Sequence, residues 1–460
     1  MTFKLIFIVI NICIGVLTYM FFEQRLLKNC ADREIIFWVL FVMFINDVTM
    51  AFILALMGRY SLKAMVSILF AETMVLFFTI LKSKIKIHRY KISSFISGIN
   101  VKVGVVLIVA SMLYFLFPTE YLWARRDPAL YVLNGVNIAK SGGMEFEENT
   151  FIRENYEEIQ NFTDITYRGF YSDFLEGDEE EPGHLTSQFL HYFSSALAIG
   201  YSLAGLQGLF AVNSVIALFC LIAVYYFCKQ IFNKNVAFLS ILFLACCPAQ
   251  LWCARIPQTE LLYQLFYVVG TYMMCVSLLK EKPVNGFFSG VLIGFIGLNR
   301  MDSYVLGIGI FCSAIYFIIF EKTKFRTAIG ISFGYIMSSF ISIIYTYTYS
   351  PYYFIEHWDV GVLKLLAYAN VSLVIIEVLA IVMIRLVKVD YNRFNIIRKI
   401  ADDGLIRSLF FLILSLGFVA LYEIRPLLQK GINVDWDFNQ RSFVEFCWYT
   451  SILTILFFFV

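Results

Sequence analysis

The chain is 460 residues long, and 60% of them are hydrophobic, 18% aromatic and only 15% charged. With a mean hydropathy of +0.76, that balance excludes a soluble globular domain and identifies a polytopic membrane protein. The net charge is +2 and no basic run is interleaved with aromatics, which excludes a nucleic-acid-binding face.

Lys4 is followed by an apolar stretch with no small-residue cleavage site near Phe21 and Phe22, so it reads as a retained helix rather than a signal peptide. About thirteen segments are long and apolar enough to span a bilayer. They lie near 4–22, 35–57, 64–81, 103–117, 208–228, 236–252, 261–279, 286–298, 303–320, 327–345, 365–387, 408–422 and 443–460. The last ends at Val460, as it would in a chain that continues.

Orientation follows from Lys and Arg in the short loops, because cytoplasmic loops carry the excess. The loop 82–102, "KSKIKIHRYKISSFISGINVK", is strongly basic. Counting spans from it puts Lys229, Lys234, Lys280, Lys282, "EKTKFR" (321–326) and Arg385–Arg407 on the same, cytoplasmic side. The outer side then holds residues 118–205, "CARIPQTE" (253–260), "NRMD" (299–302), "TYTYSPYYFIEHWDVG" (346–361) and "YEIRPLLQKGINVDWDFNQR" (422–441).

The first outer loop opens with "RRDPALYVLNGVNIAKSGG" (125–143). Asp127 is a good N-cap, Pro128 a natural first helical residue, and "SGG" a helix stop. Ala129, Val132, Leu133, Val136 and Ala139 share one side, which predicts an amphipathic helix lying in the membrane interface. A second juxtamembrane helix is expected over 185–203, and the acidic "EGDEEEP" between the two reads as solvated loop.

The ten cysteines lie within or beside apolar runs and match no zinc spacing, so they read as small apolar residues rather than a disulfide framework. "GFFSGVLIG" sets Gly286, Gly290 and Gly294 on one helix face, the pattern of close helix packing. Asp47, Glu72 and Glu377 fall inside spans. Intramembrane carboxyls are costly, so they mark either a proton or ion path, as in a transporter or flippase, or neutral hydrogen-bonded groups between packed helices.

Several outer loops each bring charged residues to a span end. Arg125, Arg126 and Asp127 come from the first, Arg255 and Glu260 from the second, Arg300 and Asp302 from the third, Arg425 and Arg441 from the last. Gathered at one cleft, guanidiniums would suit a phosphate, and a carboxylate would suit removal of an acceptor proton. That pairing fits transfer of a sugar from a lipid phosphate to a hydroxyl, where one carboxylate and a cationic clamp suffice for inversion.

The order of features resembles the GT-C superfamily of membrane glycosyltransferases, especially the bacterial branch similar to protein mannosyltransferases (glycosyltransferase family 39). The resemblance rests on "RRDPALYVLNGVNIAKSGG", on the stretch 184–266, on P-x-x-x-W-x-x-R-x-x-x-x-E from Pro248 through Trp252 and Arg255 to Glu260, and on "SGVLIGFIGLNRMDSYVL" (289–306). It implies an all-α, polytopic fold with a structured outer loop bearing the catalytic residue. It further implies that Asp127 is the catalytic carboxylate and that Arg126, Tyr131, His184, His191, Arg255, Glu260, Arg300, Asp302 and Arg441 contact substrate.

The implied partners are a polyprenyl-phosphate sugar donor, a glycan, lipid or protein acceptor, and membrane lipids, with the active site facing outside the cell membrane. A divalent cation is the one cofactor the resemblance admits. Pro128 follows Asp127 where many relatives carry a second acidic residue, and three extra spans precede the Asp-bearing loop. The expected units are therefore an N-terminal three-helix extension (1–102), a catalytic core (103–345, with outer loop 118–207) and C-terminal helices (346–460).

Overall fold

The computed structural model describes residues 2–26, 32–83, 101–116, 118–119, 127–147, 170–172, 184–359 and 361–387. Helices α1 (Thr2–Phe21), α2 (Asp32–Leu56) and α3 (Leu62–Lys82) form the N-terminal group. Ser61 caps α3 by accepting from Ala64 N at 3.1 Å, which satisfies one of the donors left open at a helix start. Helix α4 (Val101–Phe115) follows, short for a span at 15 residues.

Helix α5 (Asp127–Ser141) starts and stops where the sequence requires. Pro128 through Val132, together with Asn134, Gly135 and Ile138, are buried, and the helix packs against α6 (Tyr192–Ile231). The reason is Gly135: a β-carbon there would meet Leu197 Cβ and the Ser194 carbonyl, so only glycine lets the two helices approach this closely. Of the face predicted from the sequence, Ala129 and Val132 are buried against protein, while Leu133, Val136 and Ala139 are half-buried.

Three short strands, β1 (Phe146–Glu147), β2 (Phe170–Ser172) and β3 (His184–Ser187), make a small antiparallel sheet in the order β1-β3-β2. The helix expected over 185–203 therefore begins later, at Tyr192, because 184–187 pairs as a strand. It runs to a kink at Ala204 and Gly205, where Gly205 takes φ +65°, a backbone region open mainly to glycine. The sequence places the break between that helix and the next span at the same point.

Helices α7 (Lys234–Cys246) and α8 (Pro248–Arg255) replace the single span expected at 236–252, with a 61° bend between them. Pro248 accounts for it, since proline lacks the N–H that would continue α7 and pushes the preceding residue to extended geometry. Then come α9 (Glu260–Leu279), α10 (Pro283–Gly294), α11 (Leu306–Phe320), α12 (Phe325–Tyr349), α13 (Pro351–Asp359) and α14 (Val362–Val387). Eight described helical segments are long and apolar enough to cross a membrane, or nine counting the bent pair, with Val101–Phe115 and Pro283–Leu298 as shorter apolar helices. The spans expected at 408–422 and 443–460 lie outside the described residues.

Helices α10 and α12 interlock through small residues. β-carbons at Gly286, Gly290 and Gly294 would strike Thr327, Ile331 and Ser338 of α12, and Gly334 of α12 faces the Phe287 carbonyl in return. The described cysteines are all free, but Cys13, Cys246 and Cys312 are exposed on the helix surface rather than buried.

Loops assigned to one side by the charge count meet at one end of the bundle. Lys4 Nζ donates to the Leu203 carbonyl at 2.8 Å, and Tyr60 N to the Gly142 carbonyl at 2.9 Å. Tyr60 Oη pairs with Ser202 Oγ at 3.0 Å, and Thr119 N donates to the Arg255 carbonyl at 2.9 Å. These contacts join the start of the chain and the turn after α2 to the first long loop, and that loop to 253–260.

Candidate functional site

The site is assembled from helix ends, beginning with the turn before α9. Asn213, buried on α6, donates through Nδ2 to the carbonyls of Cys253 (3.1 Å) and Gln258 (2.9 Å) and also contacts that of Ile256. Ser214 Oγ reaches the carbonyls of Tyr114 and Ala254 at 2.9 and 3.0 Å. One turn of α6 thus fixes the loop 253–258 and delivers Glu260 to the first turn of α9, where a carboxylate meets the positive end of the helix dipole.

Across from it, two 3-10 turns (Phe295–Leu298 and Met301–Val305) bracket Asn299 and Arg300. Arg300 Nη1 donates to Glu260 Oε1 at 2.8 Å, while its Nε and Nη2 reach the Asp302 carboxylate, each at 3.1 Å for the nearer oxygen. Burial disfavours the Arg300 charge, but the Asp302 hydrogen bonds and the charges of Asp302 and Glu260 outweigh it, so its pKa moves above the usual arginine value. All three side chains keep a third or more of their exposure. Pairs of that kind contribute about 0–1 kcal/mol each, so this cluster orients groups far more than it stabilises the fold.

The mouth between these elements is a cleft of about 260 Å³ lined by Asp127 and Tyr131 of α5, Phe189 and Leu190, Asn299 to Asp302, Tyr353 and His357 of α13, and Leu363 and Leu366 of α14. Tyr131 stacks on Phe189 with ring centroids 5.2 Å apart, and Tyr353 meets Phe189 edge-on at 5.7 Å. Tyr131 also hydrogen-bonds Thr259, and burial raises its pKa far above the usual phenol value. Tyr353 is pushed up to about 12 by burial, with the Asp302 and Asp127 charges adding to the rise and Arg300 opposing it. Both phenols stay neutral near pH 7 and offer hydroxyls that donate and accept.

Asp127, Tyr131, Arg300 and Asp302 therefore line one cleft, with Glu260 tied to it through Arg300. Arg255 does not join them, because its Nε and Nη2 donate to the Leu113 carbonyl at 3.0 and 2.7 Å and so close the C-terminal end of α4. His191 is 2% exposed and bonded to Tyr345, which makes it an anchor between α6 and α12 rather than a cleft wall. His184 stands in β3, and its side chain, like Arg126 and Arg441, lies outside the described residues.

Asn299, Tyr353 and His357 line the cleft although the sequence reading does not select them. For α13 a signal existed: in "SPYYFIEHWD" Tyr353/His357 and Phe354/Trp358 are aromatic pairs four apart after a Ser-Pro helix start. His357 Nδ1 bonds the Tyr353 carbonyl at 3.0 Å and its ring lies 4.3 Å from that of Tyr353. Among the described residues no three His, Cys, Asp or Glu side chains gather to hold a metal ion.

The intramembrane carboxyls fall into two groups. Asn46 Nδ2 donates to Glu72 Oε2 at 2.9 Å, and Asp47 next to it feels both the Glu72 charge and an Asn11 hydrogen bond within the N-terminal group. Glu377 is buried on α14, which packs on α11, α13 and the 301–305 turn, with Ser332 as its neighbour. The two groups hang on different helix clusters among the described residues.

Residues 193–351 match the family model described as dolichyl-phosphate-mannose-protein mannosyltransferase. No curated protein and no solved structure gives a significant match. The matched stretch runs from α6 into α13 and carries Glu260, Asn299, Arg300 and Asp302, while Asp127 precedes it. That match over 193–351, with the bundle of apolar helices, supports a membrane glycosyltransferase of the GT-C type.

Proposed function

We propose that the protein moves a sugar from a polyprenyl-phosphate donor to a hydroxyl of a glycan, lipid or protein acceptor at the outer membrane face, with inversion and with Asp127 as the catalytic carboxylate. One observation carries this reading: Asp127 lines the same cleft as Arg300 and Asp302. The mannosyltransferase family description supports a lipid-linked sugar, with mannose as the first sugar to try.

In this reaction the acceptor oxygen forms a bond to the anomeric carbon as the carbon–oxygen bond to phosphate breaks. The bonding electrons go to the phosphate oxygen, and Asp127 takes the acceptor proton. Glu260, Arg300 and Asp302 together carry a net negative charge, so this end of the cleft suits the neutral, hydroxyl-rich sugar. Neutralising the leaving phosphate then falls to basic groups such as Arg126 and Arg441.

Purified protein carrying Asp127→Asn is the direct test, with transfer from polyprenyl-phosphate mannose and other polyprenyl-phosphate hexoses as readout. Transfer should drop by about a hundredfold or more while the melting temperature stays near wild type. Full retained activity would remove Asp127 from the mechanism. A transport reading through Asp47, Glu72 and Glu377 predicts the reverse, with those three essential and Asp127 dispensable.

A further inference from the structure

We propose that Asn299 reads one hydroxyl group of the transferred sugar and thereby sets which sugar the cleft accepts; this rests on the sugar-transfer reading above. Asn299 is 2% exposed, yet it lines the cleft beside Arg300. Neither its Nδ2 nor its Oδ1 has a hydrogen-bond partner. Other buried or half-buried asparagines near the site keep at least the amide nitrogen bonded: Asn134 to Ser187 Oγ at 2.7 Å, Asn213 to the 253–258 loop, and Asn370 to the Tyr304 carbonyl at 3.0 Å. Among the buried amide side chains of the described residues, only Asn299 has both Nδ2 and Oδ1 unpartnered.

A buried amide without partners is costly, so a side chain left this way at a cleft wall calls for a ligand that completes it. The amide offers a donor and an acceptor side by side, and a hydroxyl answers both, accepting from Nδ2 and donating to Oδ1. A phosphate oxygen only accepts, which would leave Oδ1 facing another acceptor. Asp127 and Asp302 in the same cleft also oppose an anion at that point. The rings of Tyr131, Phe189 and Tyr353 supply apolar surface for the sugar's C–H faces, as expected of a mostly apolar pocket with a few placed polar groups.

The test compares wild type with Asn299→Ala on polyprenyl-phosphate mannose, glucose and galactose, and on the 2-, 3-, 4- and 6-deoxy forms of whichever is transferred best. The variant should lose about 10- to 100-fold in kcat/KM on the full sugar. On one deoxy form, wild type and variant should agree within about threefold, because the hydroxyl Asn299 reads is already gone. The melting temperature of the ligand-free variant should equal or exceed wild type, since the change removes an unpaired amide.

An equal loss on every donor and every deoxy form, or a lowered melting temperature, would overturn the proposal. If wild type transfers none of the donors, thermal shifts with methyl hexosides separate the two readings. A shift that Asn299→Ala abolishes keeps the sugar-reading role and removes the lipid-donor reaction, whereas no such shift removes both.

Discussion

Arg300 joins the first residue of α9 to the turn that opens α11: its Nη1 lies 2.8 Å from Glu260 Oε1 while its Nε and Nη2 face Asp302. A planar fork reaches two carboxylates at once, and an ammonium cannot reproduce that geometry. Arg300→Lys should therefore disturb the cleft without unfolding it. The expected result is a fall in kcat/KM of about 10- to 100-fold, with a stability change under about 1 kcal/mol. A large drop in melting temperature would mean that the cluster is chiefly structural.

Gly290 makes a complementary prediction about the scaffold. A β-carbon there would press on the Ile331 carbonyl and Tyr335 N, both backbone atoms of α12, whereas one at Gly309 on α11 meets nothing within 4 Å. Gly290→Ala should destabilise by about 1–3 kcal/mol through overpacking. Gly309→Ala should be neutral or stabilising by up to about 1 kcal/mol, because a helix interior prefers alanine to glycine. Thermal unfolding of the two purified variants checks the contrast, and equal melting temperatures would contradict it.

Much of this architecture is legible in the residues because bilayer spans impose a strong pattern. The break near Gly205, the start of α5 at Asp127 and the Gly286/Gly290/Gly294 face all follow from local signals. What escapes is pairing at a distance. Nothing within "DPALYVLNGVNIAKS" announces that Gly135 will seat its helix on Leu197, so the burial of Leu130, Tyr131 and Asn134 is not legible there. Arg255 looks like a phosphate ligand by type and place, and only the fold reveals the Leu113 carbonyl that occupies it. Asn299 is hidden for the same reason, since an amide carries no charge to attract notice and its open ends are visible only once its neighbours are in place.

His191 yields a prediction in pH. Its backbone N donates to Tyr345 Oη at 3.0 Å, which leaves the hydroxyl proton for His191 Nδ1 at 2.9 Å, so the ring is accommodated as a neutral acceptor. Burial pushes its pKa down to about 4 from 6.5. A folded pKa below the unfolded one means the unfolded chain binds more protons between those values. The contribution is thus complete above pH 6.5 and is lost as pH falls towards 4, to a limit of about 3 kcal/mol. Melting temperatures of wild type and His191→Gln measured from pH 7 to pH 4.5 isolate the effect, because all other titrating groups are common to both. The wild-type advantage should shrink steadily as the pH falls; a gap that stays constant across that range would show that the ring is not buried as a neutral acceptor.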